Sequence, residues 1–322
     1  MKGILIINTG SPKTKQREDV KFFIGAMLSD PLVMTVPDWF RNILAKIIIA
    51  PLRASNSASH YSLIWDTQHN ESPLIYNSQQ LAKKIEESTN IPVEIAMRYV
   101  VPTIPEAFER LLKKCPTLDE VIAVPMFPQY AQSSYQTVVE ALNSHYKNGS
   151  YPFKLTITKP YYNHPEYIKA LAKSIQPHIE KGYDRLVFSF HSLPLSHVEI
   201  GRKKGQEFDY VCQVEETVRL VTQQLGLNPE KNQIVYSSAI GKKWLTPDLN
   251  KTMAEYPSEG VKRVVVITPG FPADNLETLF DIDIEAKETF TKAGGEEFSF
   301  VHGLNAEDYW VEGLTKIISE TH

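Results

Sequence analysis

Cysteine is scarce in this chain: 322 residues carry two, Cys115 and Cys212. Two thiols cannot build a disulfide framework, and neither has a CxxC partner or zinc-site spacing. Both fall in helix-like segments and read as buried, inert thiols. Long apolar runs are missing too. The longest, Trp39–Ala50, holds Arg41 and Lys46, stops at Pro51 and is too short to span a bilayer. It reads as a packed helix or as an apolar lip for a greasy ligand or a membrane face. No block of like charge occurs, and a formal net charge of -4 argues against a nucleic-acid surface. The start of the chain runs straight into a strand-like segment, with no signal-peptide pattern. Without GxGxxG or a Walker A sequence, nucleotide binding has no support. GxSxG and HExxH are absent as well. The turn Asn8–Pro12 is too glycine-poor to cradle a diphosphate.

What is present suits a soluble intracellular enzyme of two domains. Strand-like runs occur at Gly3–Asn8, Val93–Met97, Glu120–Val124 and Lys154–Thr158. A second set lies at Arg185–Phe190, Gln233–Ser237, Val261–Ile267 and Glu297–Val301. Several are continuously apolar, as parallel strands covered on both faces are. Amphipathic stretches such as Leu74–Glu87, Ile104–Lys114, His164–Glu180 and Phe208–Leu225 alternate with them. The rhythm predicts an α/β protein made of two Rossmann-like domains, each a four-stranded parallel sheet flanked by helices. The domains are expected at residues 1–160 and 161–322, with the boundary near Lys159–Asn163 and the last helix, Glu307–Ser319, free to pack on either. An internal echo supports two related halves: Val124-Pro125-Met126-Phe127-Pro128 against Thr268-Pro269-Gly270-Phe271-Pro272.

Open α/β sheets place ligands beyond the carboxyl ends of their strands, and the distinctive residues lie there. Asn8–Pro12 follows the first strand, Arg98-Tyr99 the second and Gln129-Tyr130 the third. His191-Ser192-Leu193-Pro194 follows the fifth. Pro269–Pro272 then leads from the seventh into Asp274–Glu285. If that segment opens a helix, Glu277, Asp281 and Glu285 recur every four residues on one face, with Asp274 on the same line. Stacked carboxylates repel, so the stripe costs stability unless cations or shared protons offset it. Leu276, Leu279, Ile282 and Ile284 surround it, so the helix is expected to be partly buried and to handle protons or metal. His191 is delivered to the same edge by an apolar strand, where a neutral imidazole can accept a proton or bind a borderline metal. His197 has no such placement and reads as surface.

These residues resemble the ferrochelatase family, of the bacterial type without an iron–sulfur cluster. The resemblance runs from Gly3–Pro12 through Leu28-Ser29-Asp30-Pro31, Tyr61–Trp65, Ser72-Pro73-Leu74 and Met97-Arg98-Tyr99. It continues through Pro128-Gln129-Tyr130, Ser189–Pro194, Trp244-Leu245-Thr246-Pro247 and Asp274–Glu285. It implies a porphyrin cleft with His191 and Glu277 facing each other across the macrocycle as catalytic groups and iron contacts. Asp274, Asp281 and Glu285 become a proton or metal relay. Thr9, Met34, Trp39, Arg53, Arg98, Tyr130, Ser192 and Trp244 are implied porphyrin contacts, with Phe40, Ile43 and Ile47 extending an apolar lip. For Arg53 and Arg98 a tail-anchoring role, in which a guanidinium grips a carboxylate bidentately, stands beside a structural salt bridge.

The implied reaction inserts ferrous iron into a porphyrin, with protoporphyrin IX expected, and releases haem and two protons in haem biosynthesis. Iron is substrate; no permanent cofactor is expected, and two cysteines cannot supply the four ligands of a cluster. The protein is expected in the cytoplasm as a monomer or homodimer, with peripheral contact at the inner membrane face. Three departures from the family bear on ligand details: Thr9 in place of Leu or Met, no basic residue after Ser237-Ser238, and Gly205–Tyr210 in place of a GDPY-like run. Two other readings compete. A cobalt or nickel chelatase for a more acidic tetrapyrrole would call for more histidines and basic residues. A non-catalytic tetrapyrrole carrier would have no use for the acidic ladder.

Overall fold

The computed structural model describes residues 1–322, and contacts divide them into two compact units. The first comprises Met1–Phe127, Gln132–Lys159 and Thr315–His322; the second comprises Pro128–Ala131 and Pro160–Leu314. Sequence patterning gave no hint that Pro128–Ala131 belongs to the second unit, whereas the last helix, expected to pack on either domain, ends in the first, which takes Thr315–His322.

In the first unit, β1 (Lys2–Asn8), α1 (Arg17–Leu28), α2 (Asp38–Ile43) and α3 (Ala50–Ile64) precede α4 (Pro73–Thr89) and β2 (Val93–Met97). Then come α5 (Ile104–Lys114), β3 (Glu120–Pro125), α6 (Thr137–Asn148) and β4 (Lys154–Ile157). The sheet is parallel, in the order β2-β1-β3-β4. Ile4 to Ile7 are buried on both faces, which is why β1 reads as an unbroken apolar run. Local chemistry sets the helix starts. Thr103 and Glu106 form a reciprocal capping box on α5, and Ser72 caps α4 ahead of Pro73. Gly10, at φ +103, closes the turn after β1, where a Cβ would meet Val100 Cγ2 at 2.5 Å. Pro51 does not end the apolar run as expected. Leu44–Ile49 winds as a π-helix and joins α2 to α3, with Pro51 in the first turn of α3, where a missing N–H is tolerated.

The second unit contains α7 (Pro165–Ile179), β5 (Arg185–His191), α8 (Leu195–Lys204), α9 (Tyr210–Leu225) and β6 (Asn232–Ser237). It continues with α10 (Leu249–Glu255), β7 (Arg263–Ile267), α11 (Lys287–Lys292) and β8 (Glu297–Val301), then enters α12 (Asp308–Ser319). Its parallel sheet runs β6-β5-β7-β8, which repeats the first sheet's order four strands later. The two PxFP-like segments follow the third strand of each sheet, as the internal echo requires. Val187, Val235, Val264, Val266 and Phe300 form one face of this sheet and pack with Ile282, Ala286 and Phe290. That contact seats the acidic segment over the carboxyl ends of the strands.

Candidate functional site

The acidic segment is helical, but of an unexpected kind: Glu277–Ala286 winds as a π-helix. Such helices are rare and concentrate at functional sites, because i→i+5 bonding gives up regular packing. Asn275 starts it, its side chain accepting from the Glu277 N–H at 2.9 Å, and buried Ile282 and Ala286 hold it down. Glu277 then faces the end of β5. His191 Nδ1 lies 2.8 Å from Glu277 Oε2. This corrects the expected arrangement, since no macrocycle fits between groups in hydrogen-bond contact; the pair is one unit presented from one side.

β6 adds a third member that the sequence reading missed. Ser237 pairs in register with His191, and its hydroxyl donates to Glu277 Oε1 while lying 3.1 Å from the Phe190 carbonyl. Tyr210, buried on α9, donates to the His191 carbonyl at 2.9 Å and fixes the strand end. Strand pairing alone could have found Ser237, because it ends the strand beside His191. With Glu277 ionised, Nδ1 carries the proton and Nε2 becomes the basic nitrogen. The His191 side chain is 43% exposed, so that nitrogen is open to a ligand.

Electrostatics divide the carboxylates. Burial alone would lower the His191 pKa, but the Glu277 charge, its hydrogen bond and the Asp281 charge outweigh it and raise the pKa above 6.5. Asp281 is pushed up to about 7, chiefly by desolvation and then by the Glu277 charge, with a 3.1 Å hydrogen bond from Ser238 Oγ opposing. Glu285 is exposed and accepts from Asn250 at 3.2 Å. The expected file of acids therefore runs from half-buried Glu277 and Asp281 out to solvent at Glu285. No three His, Cys, Asp or Glu side chains converge as a metal cage.

Asp274 does not join that file. Burial pushes its pKa up, but donors from His302 (3.0 Å), Gly303 N–H (2.9 Å), Asn305 (2.8 Å) and Thr278 (3.1 Å) win and hold it low. With its oxygens saturated, Asp274 anchors the approach to the π-helix instead of passing protons. His197 also departs from expectation: it is buried in α8, and burial lowers its pKa.

Several expected porphyrin contacts are committed elsewhere. The Ser192 hydroxyl is buried and donates to the Leu245 carbonyl at 3.0 Å. Tyr130 is buried edge-on against Phe208, with Lys204 Nζ 3.2 Å from its hydroxyl. Arg98 binds Asp30 at 2.7 Å and the Thr137 hydroxyl at 2.9 Å, so the structural role competing with tail anchoring prevails. Trp244 is half-buried and bridges Pro194 beside the His191 loop. In the first unit, Thr9 and Met34 are half-buried, and Arg53 is exposed with no carboxylate partner. Trp39, Ile47 and Leu52 are 71%, 69% and 76% exposed, an apolar surface that Phe40, Ile43 and Ile48 extend. Cys115 is buried and Cys212 half-buried; both are free.

The family profile described as Ferrochelatase matches residues 1–322. A ferrochelatase of Herminiimonas arsenicoxydans is 33% identical over 327 residues, covering 99% of this chain and 86% of its own. One from Hydrogenovibrio crunogenus is 35% identical, covering 98% and 84% respectively. Among solved structures, SirB from Bacillus subtilis with Fe3+ superposes with a TM-score of 0.58 at 11% identity, over 99% of this chain and 94% of that one. CbiX, described as the terminal enzyme of siroheme biosynthesis in denitrifying bacteria, gives 0.50 at 12% identity over 98% of each chain. Those two show a shared chelatase fold and nothing narrower. The chain belongs to the ferrochelatase family, lyases that insert iron into a porphyrin in haem biosynthesis.

Proposed function

We propose that this protein inserts ferrous iron into protoporphyrin IX and that His191, backed by Glu277, accepts the pyrrole protons. The 2.8 Å bond from His191 Nδ1 to Glu277, with the rest of the ring open, carries the reading. A free-base porphyrin holds two N–H protons in the hole that the metal must occupy. Nε2 takes one of them, and Glu277 stabilises the imidazolium that forms, or takes the Nδ1 proton. A neutral Glu277 still has a partner: its O–H donates to the Ser237 hydroxyl, which turns to the Phe190 carbonyl. Asp281, titrating at about 7, can take up and release a proton near neutrality, and Glu285 passes it to water. The dication itself helps, because positive charge near an imidazole favours its neutral form.

His191 and Glu277 would contact the entering ion transiently, the macrocycle supplying its lasting ligands. For the first unit we propose that Met34, Trp39, Ile43 and Ile47 meet the apolar disc, with Thr9 beside them. Arg53, exposed and without a carboxylate partner, would hold a propionate. That single free guanidinium beside so apolar a surface favours the dicarboxylate protoporphyrin over a tetracarboxylate. No helix is long and apolar enough to cross a membrane. We place the protein in the cytoplasm as a monomer or homodimer without an iron–sulfur cluster, its exposed apolar residues touching the inner membrane face.

The test is anaerobic ferrous insertion followed by absorbance, with protoporphyrin IX and coproporphyrin III offered to wild type and His191→Ala. Faster conversion of protoporphyrin IX by wild type, lost in the variant, is expected. Preference for coproporphyrin III would overturn the substrate choice. Tight binding without metallation would overturn the activity and leave a carrier.

A further inference from the structure

The face of the second sheet that carries His191 also holds hydroxyls that this chemistry leaves unused. Residues two apart on a strand share a face, so Ser189 lies directly below His191. β7 pairs with β5 through Phe188 and Ile267, and with β8 through Ile267 and Val301. Carried one step past the last paired residues of β7 and β8, that register would set Thr268 between Ser189 and His302. The next row down, Val187, Val266 and Phe300, is apolar core. The row Ser189, Thr268, His302 is polar from end to end. Ser189 and Thr268 are buried, at 0% and 2% exposure, and neither hydroxyl has a protein partner. At the outer end, His302 holds Asp274 through Nδ1, and its side chain is 60% exposed.

Buried hydroxyls without partners are rare, and two in adjacent positions call for a shared one. Neighbouring strands lie about 4.8 Å apart, a gap that one water can bridge, and the two hydroxyls make no direct bond to each other. His191 stands roughly 7 Å up the strand, a gap that one or two waters close. We propose that Ser189 and Thr268 hold ordered water beneath His191–Glu277, and that this hydrated row is a second proton outlet leading to the exposed ring of His302. The proposal rests on the reading of His191–Glu277 as the proton-accepting pair. Each transfer adds a proton to one side of a water or hydroxyl and removes one from the other. The row is restored, and one proton reaches solvent for each that left the pair. Metal insertion releases two protons, and a dication near the acidic file repels protons leaving the same way. An inward route separates the two flows.

The test uses full-length Ser189→Ala and Thr268→Val, alone and combined with Asp281→Asn, read by porphyrin binding, single-turnover metallation and Tm. Removing a hydroxyl that holds water is expected to lower Tm by about 2 °C or more. Porphyrin affinity should stay at the wild-type value. Metallation should slow by roughly tenfold, less than the ~10²–10⁴-fold owed to a positioned acid–base group, because the acidic file stays open. Adding Asp281→Asn should slow it by more than the product of the separate effects. A raised Tm with unchanged metallation would mean dry, orphaned hydroxyls and would overturn the proposal. A lowered Tm with unchanged metallation would mean a purely structural water and would overturn the outlet. A wild type that binds porphyrin but inserts no iron would refute the parent reading instead, and Tm would still report on the hydrated row.

Discussion

Corresponding ends of the two sheets carry polar clusters with opposite fates. In the first unit, β1 ends with Asn8 paired to Met97, and Arg98 follows. Asp30 there takes donors from Arg98 (2.7 Å), Tyr99 (3.1 Å), Thr137 and the Leu32 N–H (2.8 Å). In the second unit, β5 ends with His191 paired to Ser237, and the pair is built on Glu277. The strand orders are the same, so topology does not select the chemistry. Saturation does. The Asp30 carboxylate has its donors in place and holds structure together, whereas the His191 cluster leaves an imidazole nitrogen open beside a carboxyl that titrates near neutrality.

The comparison breaks most sharply at His191. His191→Ala should cut metallation by ~10²–10⁴-fold while porphyrin fluorescence titrations remain near wild type; a loss of binding equal to the loss of rate would refute its proton-accepting role. The opposite pattern is expected at Asp30. Asp30→Ala strands a largely buried guanidinium and should cost about 3 kcal/mol of stability by urea unfolding. The fraction that stays folded should still metallate, and a folded but inactive variant would show that the two clusters are not so distinct.

The pH dependence sharpens the contrast. Glu277 raises the His191 pKa, so a rate that needs neutral imidazole climbs with pH through a midpoint above 6.5. Glu277→Gln should move that limb to lower pH, and an unmoved midpoint would assign the limb to another group. Asp281 keeps its proton to about pH 7 when folded but releases it near 3.8 when unfolded. The unfolded chain therefore binds fewer protons across that window, and the Asp281 contribution lowers stability as pH rises from about 4 to 7. Asp281→Asn should remove this loss and gain stability over wild type at pH 8 relative to pH 5; equal slopes would disprove the raised pKa. The smallest effect is expected at the first unit's surface. Trp39→Ser should change stability by no more than about 0.5 kcal/mol and raise the porphyrin KM a few-fold.

Much of this was legible in the sequence because it depends on neighbours along the chain. Apolar runs located the eight strands, with ends off by two residues at most. Amphipathic stretches such as Leu74–Glu87 and Ile104–Lys114 marked helices, and the four-residue repeat of Glu277, Asp281 and Glu285 marked the acidic helix. The errors share a cause. Ser192, Tyr130, Arg98 and Asp274 have side chains suited to ligands, yet each is spent on a partner distant in sequence: Leu245, Lys204, Asp30 and His302. His197 looked like surface because nothing along the chain showed what would cover it.

Residues near one another along the chain were enough to reveal the alternation of strands and helices and the family, and to single out His191 and Glu277, because periodicity and motif spacing are local. Tertiary structure alone decided that those two side chains touch, that the acidic segment takes a π-helical path, and that Asp274 is locked while Asp281 titrates near 7. Desolvation and hydrogen-bond saturation depend on which groups folding brings within a few ångströms, and spacing along the chain does not encode that directly.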